Sequence, residues 1–417
     1  MNPDIAIVGA GAAGFFAAIS AARTGKRVLL LEKNTKTGVK ILMSGGTRCN
    51  LTQSTDARGI VEAFGRPGKF LHSALASLGP EKVVEFFHQA GVPTKVESTG
   101  KIFPASDRAI DVRNALLREV ESHPSIELKT GVGVSGIRQA EGGFSVRHGQ
   151  RETIAKSVIL TTGGKSYPGC GTVGEGYQWA ADFGHHIVPP VPALTPIVTP
   201  QQWVKELRGI TVPSVNFGVF EEDRICRLSD GNFKKLAVSS ARGSLLFTHF
   251  GFSGPAALNV SREISRCQSP SLKIVIDFLP GIRRQDLHAE LTLQENVRKQ
   301  ARTLFQDRLP DRLAQSLVSL AGLGRGQNLA ETGRAQKESL VEKIKHCVVD
   351  IEGTRGFKKA EVTAGGVCLK EVNSQTLESK LCRGLFFAGE ILDLDGPIGG
   401  YNFQAAFSTG YLAGLHA

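Results

Sequence analysis

Two short apolar runs flank an alanine-rich stretch at the start of the chain. Residues 4–8 and 28–31 are apolar at almost every position, as expected for strands buried on both faces of a parallel sheet. Residues 12–24 between them are rich in alanine, and Gly25 follows, which predicts a helix that ends there. The pattern therefore predicts one βαβ unit.

The apolar pattern changes several times further along. Residues 70–125 have a mainly helical pattern, and strands are predicted at 126–134, 144–147 and 158–160. Closely spaced prolines around 189–200 are typical of a linker.

Beyond that stretch, apolar residues recur with period two, as in Val215, Phe217 and Val219, which predicts strands. A charged helical pattern then replaces the alternation, and a last helix is predicted at 403–415. We therefore predict a discontinuous domain from residues 1–190 and 354–417, an inserted β-rich domain at 191–282 and a helical subdomain at 283–353.

The turn inside the βαβ unit carries the pattern GxGxxG, at Gly9, Gly11 and Gly14. In a dinucleotide-binding fold the first glycine permits the tight turn, and the second lets the backbone approach a pyrophosphate. The third lets the helix pack close to the strand. Glu32 ends the second strand, where a carboxylate can accept hydrogen bonds from a ribose. The alternative is a glycine turn without a ligand, but strand, turn, helix and acid together favour a dinucleotide site.

A second GxGxxG pattern spans residues 131–136, and we reject it as a nucleotide site. It lies inside a predicted β region, and no helical pattern follows it. A single dinucleotide module favours a bound flavin over a separate nicotinamide domain. NAD(P)H, if it is used, would dock transiently.

The chain is basic: 50 Lys and Arg against 39 Asp and Glu give a net charge of +11 over 417 residues. A polyanionic partner is therefore plausible. We expect residues 281–360, with 15 Lys and Arg against 10 Asp and Glu, to form the basic surface. A solvated helical face explains that stretch equally well.

The seven cysteines form no CxxC pair, which favours reduced thiols over a disulfide framework or a zinc site. His185 and His186 have no partner ligands at metal spacing, so no metal site is predicted. No apolar run is as long as a membrane span, and the start of the chain does not have the pattern of a signal peptide. These features predict a cytoplasmic protein.

Several further motifs accompany the first turn: 38–52 around Arg48-Cys49-Asn50, 161–168, 171–177, 246–255 with Thr248-His249, 360–367, and 389–404 with Gly399-Gly400-Tyr401-Asn402. Together they resemble the bacterial NAD(P)/FAD-dependent oxidoreductases grouped as BaiN-like or aminoacetone-oxidase-like flavoproteins, over nearly the whole chain. The chain departs from the family at Thr47, where the family usually has a third glycine.

The resemblance implies an α/β fold: a Rossmann-type FAD-binding domain (GR2-like) formed by both ends of the chain, with an inserted β-barrel-like domain and a small helical part. It implies that Gly389-Glu390 lies by the ribityl and pyrophosphate of FAD, and that residues 399–402 direct backbone N–H groups at the flavin ring. The positions expected to bind the cofactor are Gly9, Gly11, Ala13, Gly14, Glu32, Lys33, Lys40, Gly45, Arg48, Asn50, Val134, Thr162, Gly163, Gly389, Glu390, Gly400, Tyr401 and Asn402.

Cys49, Arg48 and Tyr401 are the candidate catalytic residues. Arg48 could lower the pKa of the neighbouring thiol, and a thiol near a flavin could donate a proton. The alternative for Cys49 is a small buried side chain packed against the cofactor. Arg48 and Lys40 could hold a phosphate or substrate anion, or lie on a solvated surface. Tyr401 and His249 could face a substrate or have only a structural role.

The leading hypothesis is an FAD-dependent oxidoreductase that moves hydride between the flavin and an organic substrate. Family activities include reduction of uracil to dihydrouracil in ribosomal RNA, amine oxidation and reduction of conjugated double bonds. The excess of Lys and Arg over Asp and Glu favours RNA as the substrate. The alternatives are a small-molecule amine oxidase or enone reductase, and a non-catalytic FAD-containing RNA-binding protein.

Overall fold

The computed structural model of the chain describes residues 3–229, 231–267, 271–296, 298–324 and 326–417. The strands are β1 Ile5–Val8, β2 Val28–Leu31, β3 Thr52–Gln53, β4 Thr94–Val96, β5 Lys101–Pro104, β6 Ile126–Lys129, β7 Val134–Ala140, β8 Gly143–His148, β9 Arg151–Ala155, β10 Ser157–Leu160, β11 Ile187–Ala193, β12 Ile197–Val198, β13 Thr211–Glu221, β14 Ser239–Phe247, β15 Gly251–Ser253, β16 Leu272–Asp277, β17 Cys347–Asp350, β18 Gly353–Thr354, β19 Val362–Val367 and β20 Leu385–Phe387.

The α-helices are α1 Ala12–Arg23, α2 Val39–Met43, α3 Ala57–Phe64, α4 His72–Ser77, α5 Pro80–Gln89, α6 Ala109–Ser122, α7 Glu175–Asp182, α8 Gln202–Glu206, α9 Glu222–Ile225, α10 Phe233–Leu236, α11 Pro255–Arg266, α12 Arg284–Thr292, α13 Asp311–Leu320, α14 Arg334–Lys345 and α15 Tyr401–His416. The chain forms two units: the residues up to Pro192 with Glu361–Ala417, and Ala193–Ala360.

The first unit is built on a parallel sheet in the order β6-β2-β1-β10-β20. Its two central strands β1 and β2 are buried at every position, which is why they read as unbroken apolar runs. The first strand pairs with β2 on one side and with β10 on the other. The strand order therefore reverses beside β1, and ligands bind at such a point in open α/β sheets.

Helices α1 and α15 pack against each other almost backbone to backbone. A Cβ at Gly410 would lie 2.2 Å from the Ala13 carbonyl oxygen, and one at Gly414 would lie 2.2 Å from the Ala17 carbonyl oxygen. These two glycines are one helical turn apart and therefore share a face. The C-terminal helix, which the sequence predicts at 403–415, is confirmed and begins two residues earlier, at Tyr401.

The prediction that residues 70–125 are mainly helical is confirmed by α4, α5 and α6. A hairpin of β4 and β5, too short to give a periodic signal, lies between α5 and α6. The predicted strand 126–134 is two strands, and Gly131 in the break has φ +71°. The rejection of the second glycine motif agrees with the structure, since β7 and not a helix begins at Val134.

The second unit contains a seven-stranded sheet in the order β17-β16-β13-β14-β15-β12-β18, in which all neighbouring strands are antiparallel. The period-two pattern in β13 places Val215, Phe217 and Val219 in its core. That core also includes Leu313 and Leu340 from the helices that follow. The division into a β-rich domain at 191–282 and a helical subdomain at 283–353 remains a prediction.

No helix among the described residues is long and apolar enough to cross a membrane. Within the same residues, no cluster of three or more His, Cys, Asp or Glu side chains could hold a metal ion.

Gly410→Ala should destabilise the first unit. The added methyl group would collide with the backbone of α1, and overpacking of this kind costs about 1–3 kcal/mol. We expect a lower urea midpoint by circular dichroism. Gly281→Ala is the control, because a Cβ there meets nothing within 4 Å. Equal midpoints for the two variants would contradict the close helix contact.

Candidate functional site

The turn after β1 is shaped by two glycines that no larger residue could replace. Gly9 has φ +108°, and a Cβ there would lie 2.7 Å from the Thr161 carbonyl oxygen. A Cβ at Gly14 would lie 1.9 Å from the Gly9 carbonyl oxygen. The Thr161 hydroxyl donates to that same Gly9 oxygen at 2.7 Å. The turn is therefore held between α1 and the end of β10.

Gly11 differs from these two glycines. Its backbone is extended, with φ −90° and ψ −166°, and a Cβ there would meet nothing within 4 Å. No side chain caps the start of α1, and its first turn holds no acidic residue. The first N–H groups of a helix lack internal partners and form the positive end of its dipole. Open space beside such an end fits a pyrophosphate.

Glu32 is fixed beside this turn by two backbone amides. One carboxylate oxygen accepts the Ala10 N–H and the other accepts the Asn34 N–H, both at 2.9 Å. The side chain is buried, and each carboxylate oxygen retains a further lone pair. A ribose hydroxyl can therefore bind to it. The neighbouring Lys33 forms an ion pair with Glu175.

Glu390 lies in a polar network that joins distant parts of the chain. Its Oε1 accepts the Ser166 hydroxyl at 2.5 Å and the Thr363 N–H at 2.9 Å. Its Oε2 is ion-paired with Lys40, whose ammonium group also donates to Ser166 at 2.6 Å. Lys40 thus has a carboxylate partner within the protein. Ser166 and Thr363 are not among the predicted site residues, although they lie in the motifs at 161–168 and 360–367.

Gly389, just after β20, allows the chain to lie close to helix α1. Its φ is +78°, and a Cβ there would lie 2.8 Å from the Cβ of the buried Ala13. The Gly389 N–H donates to the Thr409 hydroxyl at 3.0 Å. The chain after β20 is therefore placed against both α1 and α15.

The start of α15 lies against the segment that follows the Arg48-Cys49 loop. Gly400 has φ +93°, and a Cβ there would lie 2.6 Å from the Thr52 carbonyl and 2.8 Å from Asn50 Oδ1. The Asn402 side chain accepts the Gly396 N–H at 2.8 Å and donates to the Gly396 carbonyl at 3.0 Å. Asn402 can therefore offer a ligand its backbone N–H but not its amide side chain.

Several buried polar atoms around this region have no hydrogen-bond partner in the described structure. They include Asn50 Oδ1 and Thr162 Oγ1. An unpartnered buried group costs about 1–3 kcal/mol, so such atoms indicate where a ligand or water binds. Gly163 follows Thr162 with φ +72°. Val134 begins β7 and pairs with His148, and a Cβ at the preceding Gly133 would lie 3.6 Å from the Lys33 Cβ.

The loop before Asn50 is left-handed over three consecutive residues. Gly45, Gly46 and Thr47 have φ +55°, +66° and +70°. Thr47 is exposed, and a β-branched residue in this conformation is strained. This left-handed backbone favours glycine, which this chain has at the first two of the three positions.

The expectation that Arg48 lowers the pKa of Cys49 is wrong. Burial is complete and raises the pKa of the Cys49 thiol to about 12. Arg48 donates to Glu97 at 2.6 Å and to Asp107 at 3.4 Å, and its guanidinium lies 4.0 Å from the centre of the Phe103 ring. The Arg48 guanidinium is thus paired with two carboxylates, whereas the Cys49 thiol is buried in the interior. A catalytic role for either residue remains a prediction.

Tyr401, the third catalytic candidate, is half-buried at the first position of α15, and burial raises its pKa. A Cβ at Gly399 would lie 2.9 Å from its ring, so the glycine makes room for the tyrosine. The structure thus brings the residues from the Gly9, Glu32, Asn50, Thr162, Glu390 and Gly400 segments into one unit. Their individual roles remain predictions.

The sequence of residues 3–416 matches the family described as HI0933-like protein Rossmann domain. The chain belongs to this family. Its Rossmann fold and the predicted resemblance to BaiN-like flavoproteins are thereby confirmed, and the family consists of FAD-dependent oxidoreductases.

Two relatives are equally similar to the chain. One is the 3-dehydro-bile acid delta(4,6)-reductase of Clostridium scindens, 32% identical and aligned over 99% of this chain and 98% of the relative. The other is the ribosomal RNA dihydrouridine synthase of Escherichia coli, 32% identical over 98% and 96%.

Solved structures support the fold alone. The Escherichia coli quinol fumarate reductase FrdA matches 100% of this chain and 69% of its own, with a TM-score of 0.50 and 16% identity. Sdh1 of Mycobacterium smegmatis gives the same TM-score and identity over 99% and 67%.

Cys49 should resist alkylation in the native protein. At pH 8 a thiol with a pKa of about 12 is ionised in roughly one molecule in 10⁴, and this one has no solvent contact. We expect iodoacetamide to modify the exposed Cys226 and Cys267 well before Cys49. Cys347 is an equally buried control with the same pKa of about 12. Peptide mapping that found Cys49 labelled as fast as Cys226 would contradict this picture.

Proposed function

We propose that the protein binds FAD in its first unit and reduces a carbon–carbon double bond conjugated to a carbonyl group, with uracil in ribosomal RNA as the favoured substrate. NAD(P)H is the proposed electron donor, and it would dock only transiently. The observation that carries the cofactor assignment is the turn after β1. It combines open space at Gly11, an uncapped helix start and a fixed carboxylate at Glu32.

The residues of the first unit have distinct tasks in this proposal. The start of α1 binds the pyrophosphate, and Glu32 binds the adenosine ribose. The start of α15, with no acidic residue in its first turn, stabilises negative charge at the ring. Glu390, held by Lys40 and Ser166, orients Gly389 beside the ribityl chain. When bound, FAD supplies hydride transfer.

The names of the two relatives describe reactions on the same class of chemical bond. A 3-dehydro-bile acid delta(4,6)-reductase and a dihydrouridine synthase both act, by their names, on double bonds, and the C5–C6 bond of uracil is conjugated to a carbonyl. The net charge of +11 favours RNA, because a polyanion needs a positive surface. The target uracil must be unpaired or flipped out of its stack.

A small-molecule enone is the second candidate substrate. The bile-acid reductase is as similar to this chain as the RNA enzyme is, at 32% identity over nearly the full length. The reduced bond is of the same kind, so the two candidates differ in the docking surface and not in the reaction.

Gly11→Val should abolish FAD binding without unfolding the chain. Its φ of −90° suits any residue and its Cβ space is open, but a valine would occupy the proposed pyrophosphate position. We expect a colourless protein with an unchanged circular dichroism spectrum. The control Gly281→Val, also in open space, should remain yellow. A yellow Gly11→Val protein would contradict the cofactor assignment.

Deletion of the gene should remove dihydrouridine from at least one site of ribosomal RNA. The purified holoenzyme with NAD(P)H should restore it on RNA from the deletion strain, and the Gly11→Val protein should not. Unchanged dihydrouridine at every site would exclude the RNA substrate. Turnover of a conjugated enone by the same preparation would then support the second candidate.

A further inference from the structure

The motif at 246–255 is not among the residues predicted to bind the cofactor, and the structure gives it a distinct form. Thr248 to Gly251 make the turn between β14 and β15 in the second unit. The Thr248 hydroxyl donates to the Gly251 carbonyl at 2.9 Å and accepts the Gly251 N–H at 3.1 Å. This clamp fixes the turn and presents an exposed His249 at its tip.

Three planar side chains meet at this turn. The rings of His249 and Phe250 are in edge contact with centres 4.9 Å apart, and the Arg355 guanidinium lies 4.6 Å from the centre of the Phe250 ring. His249 and Arg355 are exposed, and Phe250 is half-buried. Aromatic rings and arginine planes of this kind stack on unpaired bases.

The chain around Arg355 is also unusually cationic. Residues 355–359 contain Arg355, Lys358 and Lys359, all exposed, and no acid. None of the three forms an ion pair among the described residues, whereas Lys273, Arg308 and many other cations of the unit do. Unpaired cations beside planar groups offer contacts to both phosphates and bases.

We propose that His249, Phe250, Arg355, Lys358 and Lys359, here called the 249/355 surface, bind a single-stranded segment of the RNA substrate. This inference rests on the RNA form of the proposed function. The lysines contact phosphates, which gives affinity without base preference. His249 and Arg355 stack on unpaired bases next to the phosphates. A small enone would use neither contact, so the surface separates the two substrate candidates.

The test measures binding by the full-length holoenzyme to a fluorescent single-stranded oligouridine over a series of salt concentrations. K358Q/K359Q removes two adjacent exposed lysines, and each phosphate contact on single strands contributes about 0.7 to the salt slope. We therefore expect the slope to fall by about 1.4. The matched control K234Q/K235Q removes two adjacent exposed lysines of the same unit, also without ion pairs among the described residues, and should leave the slope unchanged.

His249→Ala should act differently from the lysine variant. Its loss removes a stacking plane and no phosphate contact, so we expect binding about five-fold weaker or more at an unchanged slope. Every variant should keep its FAD content, which shows that the fold is intact. R355Q should reduce both the affinity and the slope.

The outcomes separate this inference from the proposed function. If the wild type binds and reduces RNA but both lysine pairs have the same effect, the 249/355 surface is overturned and the function stands. If the wild type fails to bind the oligouridine, the surface is overturned whatever the enzyme reduces. Selective loss of binding in K358Q/K359Q and His249→Ala supports the surface even if no dihydrouridine is formed.

Discussion

Close approach of backbones around the first turn of α1 is the constraint on which the first unit depends. Three glycines, Gly9 and Gly14 of this turn and Gly410 of α15, each lie where a Cβ would meet a backbone oxygen at 2.7 Å or less. Main chain packs on main chain here, so the turn cannot shift to accommodate a side chain. The consequence is a rigid concave backbone with free amides.

The same constraint explains why the first unit needs both ends of the chain. Lys40 and Glu390 are 350 positions apart in sequence yet form an ion pair, with Ser166 and the Thr363 amide on the same carboxylate. Several donors stabilise this partly buried carboxylate, and three other segments of the chain provide them. Removal of one partner would leave a charge that its neighbours are not arranged to balance, so the network fixes the segments together.

Local patterns predicted the elements that are long or wholly apolar. The strands β1 and β2, the helix α1 and the C-terminal α15 could be predicted because burial on both faces or a glycine-flanked alanine run leaves a clear signal. The β4–β5 hairpin could not be predicted, because three or four residues of a strand carry no measurable period. The Glu390 network was missed for another reason: a contact between distant segments leaves no local pattern.

Cys49 and Arg48 are adjacent in sequence, but their side chains do not act on each other. Adjacent positions suggested that the cation acts on the thiol, but Thr47 and Cys49 both have positive φ, which turns successive side chains in different directions. Arg48 reaches two acids and an aromatic ring, while Cys49 is buried and its pKa is raised. The strain at Thr47 persists only because its neighbours on both sides are fixed, Gly45 against Phe103 and Asn50 against Gly400. The loop therefore serves the site through its backbone path, and the chemistry of its side chains follows from that path.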